Sequence, residues 1–395
     1  MMRKRSCFSF FAGLLALCLL ASCQKEVSGT NGQPTPGENL ILIYGCGHNN
    51  GLSSAIEGNV EQIMKGKLPS VNSSRDMVLY LQHSDSQGPQ LNHLYCDIDG
   101  KAVCKKIQLN EMQGWDKNSV CISSDTLQNI LTYISKYYKA QKNYLIFSSH
   151  ASGWVPAGTF LPDSYTPVPT SIGQDLGSDW QSVYEMELSN FAQKLPFYFD
   201  AIIMDACLMG GIEVAYELKD KCGLLVASPT EILSRGMYYE SMLEHIYAED
   251  IASIGRDYIQ YYLNRSGSQS ATCSVIDCRK LEPLAAICKE LFEKYRENLM
   301  QLVPSEIQHY YRSGQHWFYD LGHIVEKMGA SAAELESFNN ALLTCTVYRG
   351  HTPYFLEIPI VHFSGLSTYL PSDSTPQMDL YYKGLAWNKA TNYIQ

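Results

Sequence analysis

Two largely apolar segments of strand length constrain the fold of this chain most strongly, because each ends at a reactive side chain. The first covers residues 145–149 and is followed by His150, and the second covers residues 199–206 and is followed by Cys207. Apolar runs of this kind are typical of parallel strands that are buried on both faces. Ligands collect at the carboxyl ends of such strands. The two segments therefore predict an α/β enzyme with His150 and Cys207 at one edge of its sheet.

A cysteine and a histidine in these positions are a candidate nucleophile and general base. The thiolate is the attacking form, and a cysteine with an ordinary pKa of about 8.5 is mostly protonated at neutral pH. Apolar residues from Leu208 to Leu218 follow helical spacing. We therefore expect the thiol at a turn from a strand into a helix, where free N–H groups favour negative charge. The alternative is that Cys207 is a small core residue.

The order of the remaining segments predicts a mixed, largely parallel sheet with helices on both faces. From about residue 281, helical and then strand-like sequence predicts a C-terminal α+β portion, residues 281–395, packed on a catalytic domain of residues 39–280.

Asp99-Gly100 predicts a hairpin with a two-residue turn. This turn would place Cys96 and Cys104 on opposite faces of the hairpin, so we expect no disulfide bond between them. Further strands are expected near 40–44, 77–82, 91–98, 102–109 and 224–227, and helices near 55–64, 124–138, 182–193, 210–218 and 241–248.

The first forty residues predict export and lipid attachment. Three basic residues at positions 3–5 precede an apolar run over 8–20, and Leu20-Ala21-Ser22-Cys23 follows as a lipobox. This arrangement predicts a bacterial lipoprotein signal peptide of residues 1–22 with lipid on Cys23; an ordinary secretory peptide is the alternative. The polar, Gly- and Pro-containing residues 23–38 predict a flexible tether. The expected location is the bacterial cell envelope, with the lipid in the outer membrane.

Charge and residue spacing argue against nucleic acid and metal ligands. The net charge is −10, and no run of Lys or Arg could follow a phosphate backbone. The spacing of Cys273, Cys278 and Cys288 is not that of a zinc site. Ser313-Gly314 interrupts any helix that would align the histidines at 309, 316 and 323. We therefore expect no metal site.

Taken together, the motifs resemble the clostripain family of cysteine peptidases, which are relatives of caspases, gingipains and legumains. A strand ending at His150 followed by a strand ending in Asp205-Ala206-Cys207 carries the resemblance. It implies a caspase-like fold, a Bacteroidetes-type lipoprotein member and a cysteine endopeptidase acting on protein or peptide. Weaker matches follow in the same order along the chain: residues 40–44, Asn49-Asn50, residues 227–231, Asp320-Leu321, residues 365–371 and residues 381–387.

The resemblance also implies a role for each matched residue. His150 becomes the general base and Cys207 the nucleophile, while the backbone N–H groups of Ala151 and Cys207 form an oxyanion hole in which one donor lowers the barrier by about 3–4 kcal/mol. Asp205 matches the acidic residue at the floor of the primary specificity pocket, where it would bind a substrate Arg or Lys. The alternative for Asp205 is a carboxylate that caps the next helix. The matched segment after the next strand makes Ser228 and Thr230 candidate substrate-binding residues.

The chain departs from the family's pattern at Ala151, where the family usually has Gly. A positive φ at this residue would strain the turn by about 1–3 kcal/mol. A catalytically silent lipoprotein that binds peptides or a surface partner is therefore the alternative function. Lys194 is the single basic residue between Ala151 and Ala206, so we expect no self-cleavage there. No cofactor is expected, although some relatives need Ca²⁺.

Overall fold

The computed structural model describes residues 37–395 apart from 50, 87, 110–111, 113–114, 117, 160–171, 268 and 313–315. The predicted signal peptide, the lipidation site Cys23 and the tether up to residue 36 lie outside this part of the chain. Gly37 and Glu38, assigned to the tether from the sequence, instead begin the first strand. The described helices include none with the length and apolar character needed to span a membrane.

Nine of the described strands form one mixed sheet with a parallel centre. Its order is β12-β10-β9-β8-β5-β1-β2-β3-β4, in which the neighbours from β9 to β2 are parallel and the outer pairs are antiparallel. Three two-stranded pairs join β6 with β7, β11 with β15 and β13 with β14. The strands are β1 (Gly37–Gly47), β2 (Asp76–Ser84), β3 (Gln90–Cys96), β4 (Ala102–Lys106), β5 (Ala140–Ser148), β6 (Ile172–Leu176), β7 (Val183–Met186), β8 (Phe199–Asp205), β9 (Cys222–Ala227), β10 (Thr272–Asp277), β11 (Tyr319–Asp320), β12 (Thr346–His351), β13 (Tyr354–Phe355), β14 (Ile358–Pro359) and β15 (Ser367–Thr368).

Twelve α-helices are present among the described residues. Hydrophobic spacing explains the longer ones: in the helix after Ser123, the residues Leu127, Ile130, Leu131 and Ile134 are buried on one face, and the Ser123 side chain caps the first turn. The helices are α1 (Ser53–Lys65), α2 (Ser124–Tyr137), α3 (Leu188–Lys194), α4 (Ile212–Glu217), α5 (Met242–Tyr247), α6 (Ile251–Leu263), α7 (Glu282–Lys294), α8 (Arg296–Met300), α9 (Leu321–Lys327), α10 (Ala332–Cys345), α11 (Pro376–Tyr382) and α12 (Ala386–Thr391).

Alternation along the central strands divides the core into two layers. In β1, Leu40 and Leu42 contribute to one apolar cluster, whereas Ile41 and Ile43 contribute to the other. Successive residues of a strand point to opposite faces, so a strand buried on both faces must be apolar throughout. Helices α2, α3, α4 and α7 cover the first face, and α1, α5 and α6 cover the second. The predicted sheet with helices on both faces is confirmed.

The C-terminal portion is joined to the sheet by a strand and by a buried carboxyl group. Strand β12 pairs with β10 and forms one edge of the main sheet. Farther along the chain, Thr368, Tyr382 and the Tyr369 amide donate hydrogen bonds to Oε1 of Glu213 in α4. These three residues belong to the C-terminal segments that resemble the clostripain family. Their contact with Glu213 gives those segments a structural role, because they hold the helix that follows Cys207.

Two local predictions are wrong. The expected helix at 182–193 is strand β7 followed by the shorter helix α3, because a turn at Gly177–Ser182 pairs β7 with β6. The predicted two-residue hairpin turn is a three-residue loop: the Asp97 N–H donates to the Lys101 carbonyl and Gly100 has a φ of +77°. The longer loop shifts the register, so that Cys104 pairs with Leu94 and lies on the same face as Cys96. Both cysteines are free in this structure, but the opposite-face argument against a disulfide bond does not apply.

Candidate active site

The register of the sheet brings the two reactive residues to the same edge. Ser148, the last residue of β5, pairs with Asp205, the last residue of β8. His150 and Cys207 each lie two residues beyond this pair, at the carboxyl ends of parallel neighbours. The sequence prediction of their common location is therefore confirmed by the strand pairing.

Both residues line one cavity of about 320 Å³. Its wall is formed by the start of α1, by the ends of β5 and β8, and by the segment that follows β9. Arg312 contributes from the C-terminal portion. The lining residues used below are Asn59, Ser148, His150, Asp205, Cys207, Glu231, Ile232, Gly236 and Arg312.

The Cys207 thiol is held by the backbone of Ile232. The Ile232 N–H lies 3.2 Å from Sγ, and the thiol in turn donates to the Ile232 carbonyl at 3.7 Å. The next residue, Leu208, has a φ of +62°, a conformation that is unfavourable for a branched side chain. A hydrogen bond from the Leu208 N–H to the Thr230 carbonyl at 2.9 Å stabilises this turn. The turn thus fixes where the thiol points.

Cys207 does not lie at the start of a helix. Helix α4 begins only at Ile212, so the helix N-terminus does not favour the thiolate in the way we expected. Burial raises the pKa of the Cys207 thiol to about 12, and the nearby carboxylates Glu231 and Asp205 act in the same direction. In this state, the thiol is protonated at neutral pH.

His150 is a neutral base in the same cavity. Burial lowers the pKa of its imidazole to about 4, because a charged ring loses hydration there. Its Nε2 atom is buried and has no hydrogen-bond partner among the described residues. A basic nitrogen without a partner can accept a proton from a nucleophile.

Ala151 is not strained in the way that its departure from the family pattern suggested. Its φ is not among the positive values of the described residues. The left-handed position is two residues later, at Gly153, where φ is +60°. A Cβ at Gly153 would lie 2.5 Å from the carbonyl oxygen of Leu208. Glycine is therefore required where the His150 segment approaches the Cys207 turn.

Asp205 lines the cavity, and both oxygens of its carboxylate accept hydrogen bonds. Oδ2 accepts from Tyr239 at 2.6 Å, from Ser148 at 3.0 Å and from Asn59 at 3.4 Å, and Oδ1 accepts from the Met237 N–H at 3.0 Å. Burial raises its pKa, and these hydrogen bonds oppose the increase. No side chain caps helix α4, so Asp205 is not the capping residue of the alternative interpretation.

The carboxylate of Asp205 also explains a glycine in the opposite wall. Gly236 has a φ of +67°, and a Cβ there would lie 2.7 Å from Asp205 Oδ2. No cation forms an ion pair with Asp205 within the described ranges. One lining residue of the cavity is thus a buried carboxylate that has no counter-charge among the described residues.

An ion pair links the two sides of the cavity. Arg312 binds Glu231 through two hydrogen bonds, Nε to Oε2 at 2.7 Å and Nη2 to Oε1 at 2.9 Å. Glu231 directly precedes Ile232, whose amide and carbonyl contact the thiol. Sequence analysis did not select Arg312, because no motif surrounds it and its partner is 81 residues away.

The other predicted substrate-binding side chains do not reach the cavity. Ser228 and Thr230 are fully buried, and their hydroxyl groups form hydrogen bonds with each other and with Thr272 at 2.8–3.1 Å. Neither residue lines the cavity. They hold the backbone next to the Cys207 turn, since the Gly210 N–H donates to the Ser228 carbonyl.

Comparisons with known proteins identify similar sequences and structures. Clostripain from Hathewaya histolytica is 23% identical over 246 residues, which are 57% of this chain and 45% of that protein; the chain thus spans less than half the length of this relative. The structure of an inactive zymogen C11 protease from Parabacteroides distasonis is 26% identical, with a TM-score of 0.75, and covers 91% of this chain and 99% of its own.

A secreted C11 cysteine protease from Bacteroides thetaiotaomicron, solved with an irreversible peptide inhibitor, has the same fold. It is 21% identical with a TM-score of 0.74, and the alignment covers 90% of this chain and 99% of that one. The family model described as the clostripain family matches residues 30–348. The chain belongs to the clostripain family of cysteine peptidases.

Proposed function

We propose that this protein is a cysteine endopeptidase in which Cys207 is the nucleophile and His150 is the general base. The observations that carry the proposal are that both residues line one cavity at the carboxyl edge of the sheet and that Nε2 of His150 has no hydrogen-bond partner among the described residues. Membership in a family of cysteine peptidases supports it.

The chemistry begins from a neutral thiol and a neutral imidazole. As Sγ attacks the scissile carbonyl carbon, His150 takes the thiol proton and the carbonyl oxygen becomes an oxyanion. The backbone N–H groups of Ala151 and Cys207 are the proposed donors to that oxyanion. His150 then gives its proton to the leaving amine, and water activated by the same imidazole hydrolyses the thioester.

We propose that the substrate residue before the cleaved bond is Arg or Lys. A cationic side chain entering the cavity would supply the counter-charge that Asp205 lacks. Hydrogen bonds from Tyr239, Ser148 and the Met237 N–H hold the carboxylate in place before substrate binds. Ser228 and Thr230 would act through the backbone that they position rather than by touching the substrate.

A peptide library tests both parts of the proposal. Incubation with purified protein should produce cleavage, and mass spectrometry should place the new C-termini at Arg or Lys. Cleavage after other residues would contradict the role of Asp205 but leave the dyad intact. Stoichiometric peptide binding without cleavage would instead support the alternative, a catalytically silent lipoprotein.

The proposed location is the bacterial cell envelope, where lipid on Cys23 anchors the protein to the outer membrane and residues 23–36 separate it from the bilayer. The lipobox at positions 20–23 supports this proposal. Metabolic labelling with a fatty acid should mark the wild-type protein but not Cys23→Ala, and the variant should move to the soluble fraction. Equal labelling of the two proteins would contradict lipid attachment at this cysteine.

We also propose that the active enzyme remains one chain. Lys194 Nζ is held by Asp125 at 2.9 Å and Gln128 at 3.0 Å, at the end of α3, so the basic residue between Ala151 and Ala206 is a poor cleavage site. Intact mass spectrometry of active protein should give one species that is not divided between Ala151 and Ala206. Two stoichiometric fragments divided within this segment, absent in Cys207→Ala, would contradict both the maturation and the specificity proposals.

A further inference from the structure

A second group of cysteine, histidine and aspartate residues lies at the same edge of the sheet but below the surface. Cys46 and His83 are register partners at the ends of β1 and β2. Asp175 reaches them from β6, and Cys121 reaches them from the segment just before α2. All four residues are buried, and His83 is the most exposed at 5%.

The polar atoms of three members of this group lie close together. The ligand atoms of His83, Cys121 and Asp175 lie within 4.8 Å of one another. Nδ1 of His83 is 2.7 Å from Oδ2 of Asp175, and the same oxygen accepts the Cys121 N–H at 2.8 Å. The thiols of Cys46 and Cys121 are close enough for each to shift the pKa of the other.

The carboxylate of Asp175 provides an independent observation, because one of its oxygens has no hydrogen-bond partner among the described residues. This oxygen, Oδ1, is buried. A buried carboxylate oxygen without a partner is costly in free energy. A cation in the group would satisfy it.

We propose that Cys121, His83 and Asp175 bind a Zn²⁺ ion, with Cys46 as the donor for the fourth position. Thiolate, imidazole and carboxylate are the ligands that zinc takes in proteins, usually four in number and tetrahedral. On binding, the ion replaces the thiol protons and the proton that His83 shares with Asp175, so protons are released to solvent and no electrons move.

An adjacent cavity of about 190 Å³ gives the ion a route to the site. His83 lines this cavity together with His48, Asp85 and Trp180. The His48 ring packs on that of His83 at 4.7 Å, and Nδ1 of His48 lies 3.1 Å from Asp85. The route therefore has an imidazole and a carboxylate at its outer end, which suits a divalent cation.

The proposed site would hold the backbone beside the catalytic base. Ser149 precedes His150, and its hydroxyl donates to the Cys46 carbonyl at 2.9 Å and accepts from the Gln174 N–H at 3.2 Å. Gln174 is the neighbour of Asp175. Two of the proposed ligands thus lie on or next to residues that position the segment of His150, and the ion would stabilise that segment without touching the substrate.

Direct metal binding tests the proposal without any peptidase assay. The full chain, stripped with EDTA, should bind one Zn²⁺ and gain several degrees in melting temperature. Co²⁺ in place of Zn²⁺ should produce the near-ultraviolet absorption of a cobalt–thiolate bond. These readouts do not depend on turnover, so their failure is distinguishable from failure of the proposed peptidase function.

Variants locate the site. Cys121→Ser should remove most of the cobalt–thiolate absorption, and His83→Gln should weaken Zn²⁺ binding by at least about 10-fold. The matched control is Cys222→Ser, because Cys222 is also a buried cysteine near a second buried thiol, that of Cys278, which helps to raise its pKa. This control should bind Zn²⁺ and Co²⁺ like the wild type.

Two results on the wild-type protein would overturn the proposal even if the variants fail to fold. One is the absence of both a cobalt–thiolate band and a Zn²⁺-dependent rise in melting temperature. The other is a mass lower by two hydrogens that maps to a Cys46–Cys121 disulfide, since that bond would consume both thiols.

Discussion

The candidate active-site cavity and the proposed zinc site contain the same three residue types at the same edge of the sheet, but their contacts differ. Cys207, His150 and Asp205 face a cavity, and no hydrogen bond joins the thiol to the imidazole in this structure. In the second group, the imidazole contacts the carboxylate directly at 2.7 Å. In the first group, Nε2 of His150 has no partner among the described residues and can accept a proton. In the second group, the imidazole of His83 already contacts the carboxylate of Asp175.

This difference sets the protonation of the two histidines. Burial alone lowers the pKa of His150 to about 4. Burial also disfavours the charged form of His83, but hydrogen bonds to Asp175 and Cys121 raise its pKa to about 10. Residue type therefore does not determine the chemistry of a Cys/His/Asp group. The nearest contacts do, because they decide which groups carry charge.

The largest expected difference is between the variants of Cys207 and Cys121. Cys207→Ala should lower kcat/KM by about 10⁴-fold or more with little change in stability, since a small apolar residue fits the end of a strand. Cys121→Ala should instead reduce the free energy of unfolding by about 1–3 kcal/mol, because it leaves buried polar partners unsatisfied. Enzyme kinetics and urea unfolding measure the two effects.

The exposed residue Cys104 provides the control, and Cys104→Ala should change neither kcat/KM nor the free energy of unfolding. Residual turnover in pure Cys207→Ala would remove this residue from the nucleophile's role. A loss of stability in Cys207→Ala equal to that in Cys121→Ala would remove the distinction between the two groups.

The histidines should differ in the same way. His150→Ala should lower kcat by about 10²–10⁴-fold, the usual contribution of a general base, with a nearly unchanged melting temperature. His83→Ala should lower the melting temperature of the metal-free protein, because it removes the hydrogen bond to Asp175. A near-normal rate for His150→Ala, measured with enough enzyme to detect slow turnover, would mean that another base serves.

The acidic residues give a third, smaller contrast. Asp205→Asn keeps the shape of the side chain but removes its charge, so kcat/KM for substrates with Lys before the cleaved bond should fall by about 10²-fold, as charge-assisted hydrogen bonds are lost. Substrates with a neutral residue there should be much less affected. Asp175→Asn is the control. It should not change the ratio of kcat/KM for substrates with Lys before the cleaved bond to kcat/KM for substrates with a neutral residue there. Equal losses for both substrates would show that Asp205 is structural.

The smallest effect concerns acid stability. The pKa of His150 is about 4 in the folded protein and about 6.5 in the unfolded chain. Between these values the unfolded state binds more protons, so stability falls as the pH decreases from about 6.5 to 4. His150→Gln removes this contribution and should show a smaller difference in melting temperature between pH 7 and pH 5. Cys207→Ala keeps the histidine and should behave like the wild type; an identical difference in His150→Gln would show that the imidazole is not desolvated.

The catalytic part of the fold could be predicted from the sequence because its signals are local. Strands β5 and β8 are apolar on both faces, so their ends, and therefore His150 and Cys207, are visible as the points where the apolar runs stop. Parallel pairing then brings the two ends together. Sequence alone could not show that Leu208 has a positive φ, because the Leu208 N–H donates its supporting hydrogen bond to the carbonyl of Thr230, which belongs to a separate segment.

Features that depend on contacts between residues far apart in the sequence could not be predicted from the sequence. Strand β7 has the apolar spacing of a helix, yet it pairs with β6 across a turn. Arg312 reaches the cavity from the C-terminal portion and binds Glu231. The group of Cys46, His83, Cys121 and Asp175 has gaps of more than thirty residues between its members, so no spacing rule for metal sites selects it. Only the folded sheet brings these side chains together.

The most direct test of the account is to identify which of the ten free cysteines among the described residues reacts with a peptide electrophile that carries Lys at its reactive end. We predict stoichiometric modification of Cys207, which peptide mapping will locate, and strong loss of that modification in His150→Ala. The exposed Cys104 and the buried Cys121 should remain unmodified. Labelling of Cys104 at the same rate as Cys207, or labelling of Cys207 that is independent of His150, would contradict the assignment of this cavity as a peptidase active site.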